Sequence, residues 1–152
     1  MKNLSTLVLG LCAVLCTTVG LAQNQQIPLN EPDYNKPKLF NDLPESFVID
    51  TANMVSLFQL QVGQTVTIPL TANFSYAGVV VSKSSDQSYN SIVIKSTNRQ
   101  GASFTFSRVF EEYGVKYIGR MMSLQHSDAF EIVFENNQYH FKKKGLYDLY
   151  AE

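Results

Sequence analysis

His126, Ser127 and Asp128 are the three side-chain types of a hydrolase triad, but they are consecutive in the sequence. In such a triad each side chain approaches the next from a different element of the fold, which neighbours in sequence cannot do. On a strand, His126 and Asp128 would also share one face while Ser127 points to the other. We interpret the stretch as a polar turn and predict no nucleophile–base pair here.

Residues that bind metals or act as paired carboxylates are also sparse. The two histidines, His126 and His140, lack the spacing of a metal site, and Asp86 lacks the repeated Asp/Asn spacing of a calcium loop. Glu111 and Glu112 adjoin each other in a predicted turn, whereas the carboxylates of a glycosidase face each other across the substrate. Since there is no Gly-rich phosphate loop either, we predict no catalytic residues, metal or cofactor.

The N-terminal segment predicts export. Lys2 supplies a positive charge, residues 7–19 form a mostly apolar run without charge, and Gly20 and Ala22 are small residues before a cleavage site. These features are typical of a bacterial signal peptide over residues 1–22. The apolar run is shorter than the roughly 20 residues that span a bilayer, so we expect no transmembrane segment after cleavage.

Cleavage would remove both cysteines, Cys12 and Cys16, so the mature chain would have no disulfide and no thiolate ligand. A chain of about 130 residues can still bury enough surface to fold on a hydrophobic core alone. Loss of Lys2 leaves 11 basic against 13 acidic residues, and this balance argues against nucleic acid as a partner. The 10 Phe and 8 Tyr residues all follow the signal peptide, and they favour strands.

The mature sequence divides into a proline-rich arm over residues 23–48 and a single β-rich domain over residues 49–152. Four of the five prolines lie in the arm, where they exclude a continuous helix or a central strand. Residues 50–60 predict the one helix, with Asp50 or Thr51 as its N-cap and apolar residues at helical spacing.

After Gly63 the apolar residues recur at every second position, which predicts strands. Apart from a polar loop over residues 83–87, short loops join them and favour antiparallel neighbours. The fold class is therefore α+β, mainly β: an antiparallel meander of about seven strands, as an open sheet or partial barrel. The predicted strands cover residues 66–70, 74–80, 90–97, 102–110, 115–125, 128–135 and 138–143.

Turn chemistry predicts how the last strands pair. We place turns across residues 111–114, at residues 126–127, and at Asn136–Asn137, where both asparagines tolerate positive φ. The expected cross-strand pairs are Phe104–Met121, Phe106–Gly119, Gly119–Phe134, Met121–Ile132, Ile132–Phe141 and Phe134–Tyr139. An aromatic ring would then lie over the bare backbone of Gly119. One face collects the apolar side chains of Phe104, Phe106, Tyr117, Met121, Phe130, Ile132, Phe134, Tyr139 and Phe141.

The opposite face of this sheet is more polar and contains a candidate contact patch, which we define as Arg120, Glu131, His140 and Lys142. In the predicted register, Glu131 faces Lys142 as a cross-strand charge pair, while Arg120 and His140 align across three strands. The run of lysines that begins at Lys142 has two interpretations. It contacts an acidic partner, or it is a solvated edge that keeps the last strand from pairing with other chains.

Four stretches, YNKPKLFNDLPE (34–45), IKSTNRQGA (94–102), YIGR (117–120) and YHFKKK (139–144), resemble a family of small secreted proteins from Gram-negative bacteria. The resemblance covers most of the mature chain and implies export and a single compact domain. That family has no assigned activity, so the resemblance implies no site. A looser similarity of layout, a strand from Phe74 to Val79 ahead of a meander, links the chain to metallopeptidase propeptides.

These observations favour an exported, non-catalytic binding or interaction protein, in the periplasm or outside the cell, whose partner is an unknown protein or small ligand. The alternatives are a secreted enzyme inhibitor or propeptide-like regulator, a small hydrolase, and a lipid- or ligand-carrying barrel. The hydrolase predicts a deep cleft that contains His140 and a carboxylate. The carrier predicts a closed sheet with an unfilled apolar interior.

Overall fold

The computed structural model describes Asp33 and residues 35–150, with the backbone alone at Tyr150. The predicted signal peptide, the first part of the arm, Tyr34 and residues 151–152 lie outside the described residues.

The described chain forms one antiparallel sheet of eight strands with one short α-helix. The elements are β1 Ser46–Val48, α1 Thr51–Ser56, β2 Thr65–Thr71, β3 Phe74–Ser85, β4 Tyr89–Ser96, β5 Ser103–Glu111, β6 Gly114–Met122, β7 Asp128–Glu135 and β8 Gln138–Gly145. The strand order is β1-β8-β7-β6-β5-β4-β3-β2, and the sheet is curled into a half-barrel. The predicted mainly β meander with one helix is confirmed.

Strand β1 is the addition to the predicted set of about seven. It lies within the segment predicted as the arm and pairs with residues 140–142 of β8. Three residues are too few to show an alternating pattern, so no periodicity predicts a strand there. Because β1 covers this part of β8, the lysines that begin at Lys142 do not border the free edge that we expected.

Helix α1 is confirmed, and its start follows from one side chain. The carboxylate of Asp50 accepts the backbone N–H groups of Ala52 at 3.0 Å and Asn53 at 3.3 Å, as an N-cap does. A 3-10 turn, Leu57–Gln59, continues the helix. Met54 and Leu57 are buried against the concave face of the half-barrel.

Strand β3 extends through most of the predicted polar loop over residues 83–87. Its register with β4 shifts between Val80 and Ser82, where the chain forms a bulge. A bulge changes which face the following side chains occupy. Lys83 therefore lies opposite Ile92, a residue of the concave face, rather than in a loop.

Two of the three predicted turns are confirmed. Asn136 and Asn137 have φ values of 52° and 63°, which matches a two-residue hairpin turn, and β5 and β6 meet across residues 111–114. The cross-strand pairs that follow from these turns are Phe104–Met121, Phe106–Gly119, Ile132–Phe141 and Phe134–Tyr139.

The predicted register between β6 and β7 is wrong by two residues. Met121 pairs with Phe130 rather than Ile132, because the chain turns over residues 123–127 and not at residues 126–127 alone. His126 and Ser127 do not favour the positive φ values of a two-residue turn. The loop is held instead by a bond from His126 N–H to the carbonyl of Ser123 at 3.1 Å. A slip of two keeps each side chain on its predicted face.

The concave face of the sheet carries the hydrophobic core, whose centre is filled by aromatic side chains. Five aromatic side chains of the strands are no more than 1 % exposed, and burial of each contributes about 1.5–3 kcal/mol: Tyr76, Phe104, Phe106, Phe130 and Phe141. Helix α1 covers one part of this face, and Phe40 and Leu43 of the arm cover another. Phe134, which we predicted in the core, is 58 % exposed.

Candidate binding site between strands β6 and β7

The three triad-type residues have separate contacts. The buried carboxylate of Asp128 accepts the backbone N–H groups of Leu39 and Phe40, and Ser127 N–H donates to the carbonyl of Pro37. The ring of His126 lies 3.0 Å from the hydroxyl of Ser123. The stretch is therefore part of a loop that fastens the arm.

The candidate contact patch lies on the convex face across β6, β7 and β8. Glu131 does lie opposite Lys142 in register, but the two side chains take different partners. Arg120 donates to Glu131 through Nε at 3.0 Å and Nη2 at 2.8 Å, and Lys142 pairs with Glu135 at 2.9 Å. The two-residue difference in the β6–β7 register also puts Arg120 opposite Glu131, so that it does not align with His140 as expected.

Most of the charges in the patch are therefore balanced by ion pairs on the sheet. The hydrogen bond from Lys142 lowers the pKa of the Glu135 carboxyl. Lys143, next in the basic run, donates to the carbonyl of Leu43 and to Glu45 of the arm. His140 keeps a buried Nε2 without a hydrogen-bond partner, and its neighbours in register are Val133 and Val48. The patch offers little net charge to an acidic partner.

A feature that the sequence did not predict lies where β6 and β7 separate. These strands form three residue pairs and diverge beyond Arg120 and Glu131, whereas β7 and β8 form eight pairs and β5 and β6 form nine. The gap is a cleft of about 350 Å³, which we call the β6–β7 cleft. The residues that line it are Lys116, Tyr117, Ile118, Glu131, Ile132, Val133, Phe134 and Tyr139.

Ile132, a lining residue of this cleft, contacts β6 at Gly119. Its Cδ1 atom is 2.7 Å from the position that a Cβ of Gly119 would occupy, and the carbonyl of Thr105 is 2.8 Å from the same point. The side chain of Ile132 thus lies on the bare backbone of Gly119. We expected an aromatic ring there; the two-residue slip puts an aliphatic chain in its place.

The hydroxyl of Tyr139 takes over part of the missing strand pairing. It accepts the backbone N–H of Tyr117 at 3.3 Å and donates to the carbonyl of Val115 at 3.5 Å. Residues two apart on a strand present their N–H and C=O groups to the same edge. The side chain of Tyr139 therefore occupies the part of the β6 edge that would otherwise bond to a neighbouring strand.

Apolar surface surrounds the cleft. Phe134 is joined by Val115 and Ile118, which are 44 % and 42 % exposed. The rings of Phe134 and Tyr139 lie 4.8 Å apart, and that of Tyr139 meets that of Tyr117 edge-on at 5.2 Å. Exposed apolar groups that cluster beside unpaired strand edges are typical of interaction sites.

No helix among the described residues is long and apolar enough to cross a membrane, and these residues contain no cluster of three or more side chains suited to a metal ion. No protein-family model, curated protein or solved structure matched the chain. The resemblance to a family of small secreted proteins therefore stays a prediction.

Sequence reasoning missed the cleft because it depends on where two strands stop pairing. Gly119 was the available signal: we expected a neighbouring side chain to fill the space over its backbone. Which side chain does so depends on the β6–β7 register, and the loop over residues 123–127 decides that register through contacts with the arm.

Proposed function

We propose that the mature chain is an exported, non-catalytic binding protein that holds an extended peptide segment of a partner protein at the β6–β7 cleft. The observation that carries this proposal is the early end of the β6–β7 ladder after three residue pairs. Two strand edges then face a cleft with apolar walls. The separate contacts of His126, Ser127 and Asp128 support a role without catalysis.

A peptide suits this site better than a lipid because it offers two kinds of contact. Its backbone N–H and C=O groups can bond to the β6 edge that Tyr139 now covers, and its alternate side chains can enter the apolar cleft. A lipid chain offers no series of N–H and C=O groups that could replace the bonds between Tyr139 and this edge. The charged lining residues are Lys116 and Glu131, and Glu131 already forms an ion pair with Arg120, so we expect apolar contacts rather than charge to select the segment.

The filled core supports a surface site over an enclosed one. A carrier barrel needs an empty apolar interior, and the concave face of this sheet is occupied by buried aromatic side chains. The ligand is therefore expected to bind at the cleft without displacing the core.

The test is an NMR titration of the protein with a panel of blocked pentapeptides that carry Val, Leu or Phe at alternate positions. Each peptide is paired with an analogue whose backbone is N-methylated. We expect saturable shifts of the Val115 and Tyr117 amides with unmodified peptides only, since N-methylation removes the donors that pair with a strand edge.

Two variants locate the binding. Phe134→Ser should weaken binding by about tenfold, since it removes an apolar contact, while Val62→Ser changes an exposed apolar residue that does not line the cleft and should have no effect. Equal binding of the N-methylated peptides, equal binding by Phe134→Ser, or no saturable shift with any peptide would overturn the proposal.

Export has its own test, which does not depend on the cleft. Mass spectrometry of the protein recovered from the periplasm or medium of the expressing cells should give a mature chain that begins at Gln23. Recovery of the chain only inside the cells, with Met1 retained, contradicts export.

A further inference from the structure

A second site lies on the concave face, on the side of β5 away from the β6–β7 cleft. It is a pocket of about 240 Å³ between the 3-10 turn that follows α1 and strands β3, β4 and β5; we call it the Arg108 pocket. Its lining residues include two cations, Lys83 and Arg108, the amide residues Gln59 and Asn90, three serines and Phe58. Among the residues that the structure describes, no carboxylate lines it.

Arg108 is held in place by rings rather than by an acid. Its guanidinium carbon lies 5.4 Å from the ring centre of Phe58 and 4.8 Å from that of Phe110. Such stacking fixes the plane of a guanidinium group. The plane is therefore set before any ligand arrives.

The hydrogen-bonding capacity of Arg108 is largely unused. Hydrogen-bond geometry favours the orientation of the Asn90 amide in which its oxygen accepts from Nη2 of Arg108 at 2.7 Å. Nε is buried and has no partner. A guanidinium group has five N–H donors, so one bond from Nη2 leaves most of them available.

Arg108 differs from the other two arginines described in its lack of an ion pair. Arg99 forms an ion pair with Asp42, and Arg120 forms one with Glu131, but no ion pair in the described part of the chain involves Arg108. The nearest acid in sequence to the β4 side of the pocket, Asp86, accepts bonds from Ser88 and Tyr89 and so belongs to the turn between β3 and β4.

Lys83 adds a second positive charge to the pocket. The bulge in β3 brings it to the concave face, where its Nζ donates to the carbonyls of Phe58 at 2.8 Å and Leu60 at 2.5 Å. An ammonium group has three donors, so one remains for a ligand. No carboxylate within the described part of the chain forms an ion pair with Lys83.

We propose that the Arg108 pocket binds a small oxyanion, a carboxylate or a tetrahedral phosphate or sulfate group, with Arg108 as its principal contact. A planar guanidinium group matches the paired oxygens of such groups. Gln59, Asn90 and Ser85 add polar groups for an oxygen-rich ligand. This site is independent of the β6–β7 cleft, and either can exist without the other.

The test is an NMR titration of the protein, observing the Nε–H resonance of Arg108, with sodium acetate, phosphate and sulfate in separate arms. Sodium chloride at the same ionic strength is the reference. We expect a saturable shift with at least one oxyanion and none with chloride. A response to acetate alone assigns the site to carboxylates, and a response to phosphate or sulfate assigns it to tetrahedral anions.

Matched variants decide whether Arg108 is the contact. Arg108→Lys keeps a cation beside the rings and should fold, but without the planar fork it should weaken oxyanion binding by about tenfold; the amide resonances of the pocket report this. Arg120→Lys makes the same change at an arginine paired on the convex face and should leave binding unchanged. Equal shifts with chloride, no saturable shift, or full binding by Arg108→Lys would overturn the proposal.

Discussion

The carboxylate of Asp128 accepts the backbone N–H of Phe40 at 2.9 Å, across 88 positions of sequence. A second bond, from Leu39 N–H at 2.6 Å, uses its other oxygen. These bonds hold the arm so that the ring of Phe40 meets that of Phe130 edge-on, with centres 5.3 Å apart. A residue of a catalytic type thus fastens an irregular segment to the core.

Asp128→Asn tests this fastening. An asparagine amide would direct an NH₂ group at one of two backbone donors, so we expect the free energy of unfolding to fall by about 1–3 kcal/mol. Urea denaturation measures it. Glu112→Gln, a similar change at an exposed turn residue, should have little effect, and an equal loss in both variants would contradict the role of Asp128.

Tyr139→Phe tests the side-chain cover of the β6 edge. Loss of the hydroxyl removes the bonds to Tyr117 N–H and the Val115 carbonyl, at a cost of about 1 kcal/mol. We expect faster hydrogen exchange at the Tyr117 amide. Tyr113→Phe is the control because Tyr113 is 94 % exposed in a turn. If the Tyr117 amide exchanges at the same rate in Tyr139→Phe as in Tyr113→Phe, the Tyr139 hydroxyl does not protect the β6 edge.

Two residues of the predicted apolar face, Phe141 and Phe134, should contribute differently to stability. Phe141→Ala empties a fully buried site and should cost about 3–5 kcal/mol. Phe134→Ala changes a largely exposed ring and should cost less than about 1 kcal/mol. Thermal and urea unfolding of the two variants compare them directly, and similar losses would place Phe134 in the core after all.

Asp42→Asn should reduce the dependence of stability on pH. The hydrogen bond from Arg99 lowers the pKa of the Asp42 carboxyl below its usual value of 3.8, so the charged form is favoured in the folded state. This stabilisation is complete above the unfolded pKa, near 4, and is lost as the pH falls through the folded pKa.

The Asp42→Asn variant should therefore be less stable than the parent protein at pH 7, by about 0.5 kcal/mol for an exposed ion pair, and the difference should shrink in acid. Urea unfolding at several pH values measures both. Arg99→Gln breaks the same pair from the other side and should shrink the pH dependence equally. A difference that stays constant down to acid pH would show that the pair does not stabilise the fold.

The sequence predicted the elements that depend on short-range chemistry. Asp50 identified the start of α1, and Asn136–Asn137 identified the turn between β7 and β8 and with it the register of those strands. Alternation identified the apolar face even where the pairing was wrong, because a slip of two residues leaves every side chain on its face.

Tertiary structure alone decided the features that join distant parts of the chain. Ser46–Val48 became a strand because β8 offered an edge, and the loop over residues 123–127 took its length from contacts that include the arm. The β6–β7 cleft and the unpaired Arg108 both follow from such contacts. Local patterns determine which face a side chain occupies, but long-range contacts determine which partner it meets and which strand edges stay open.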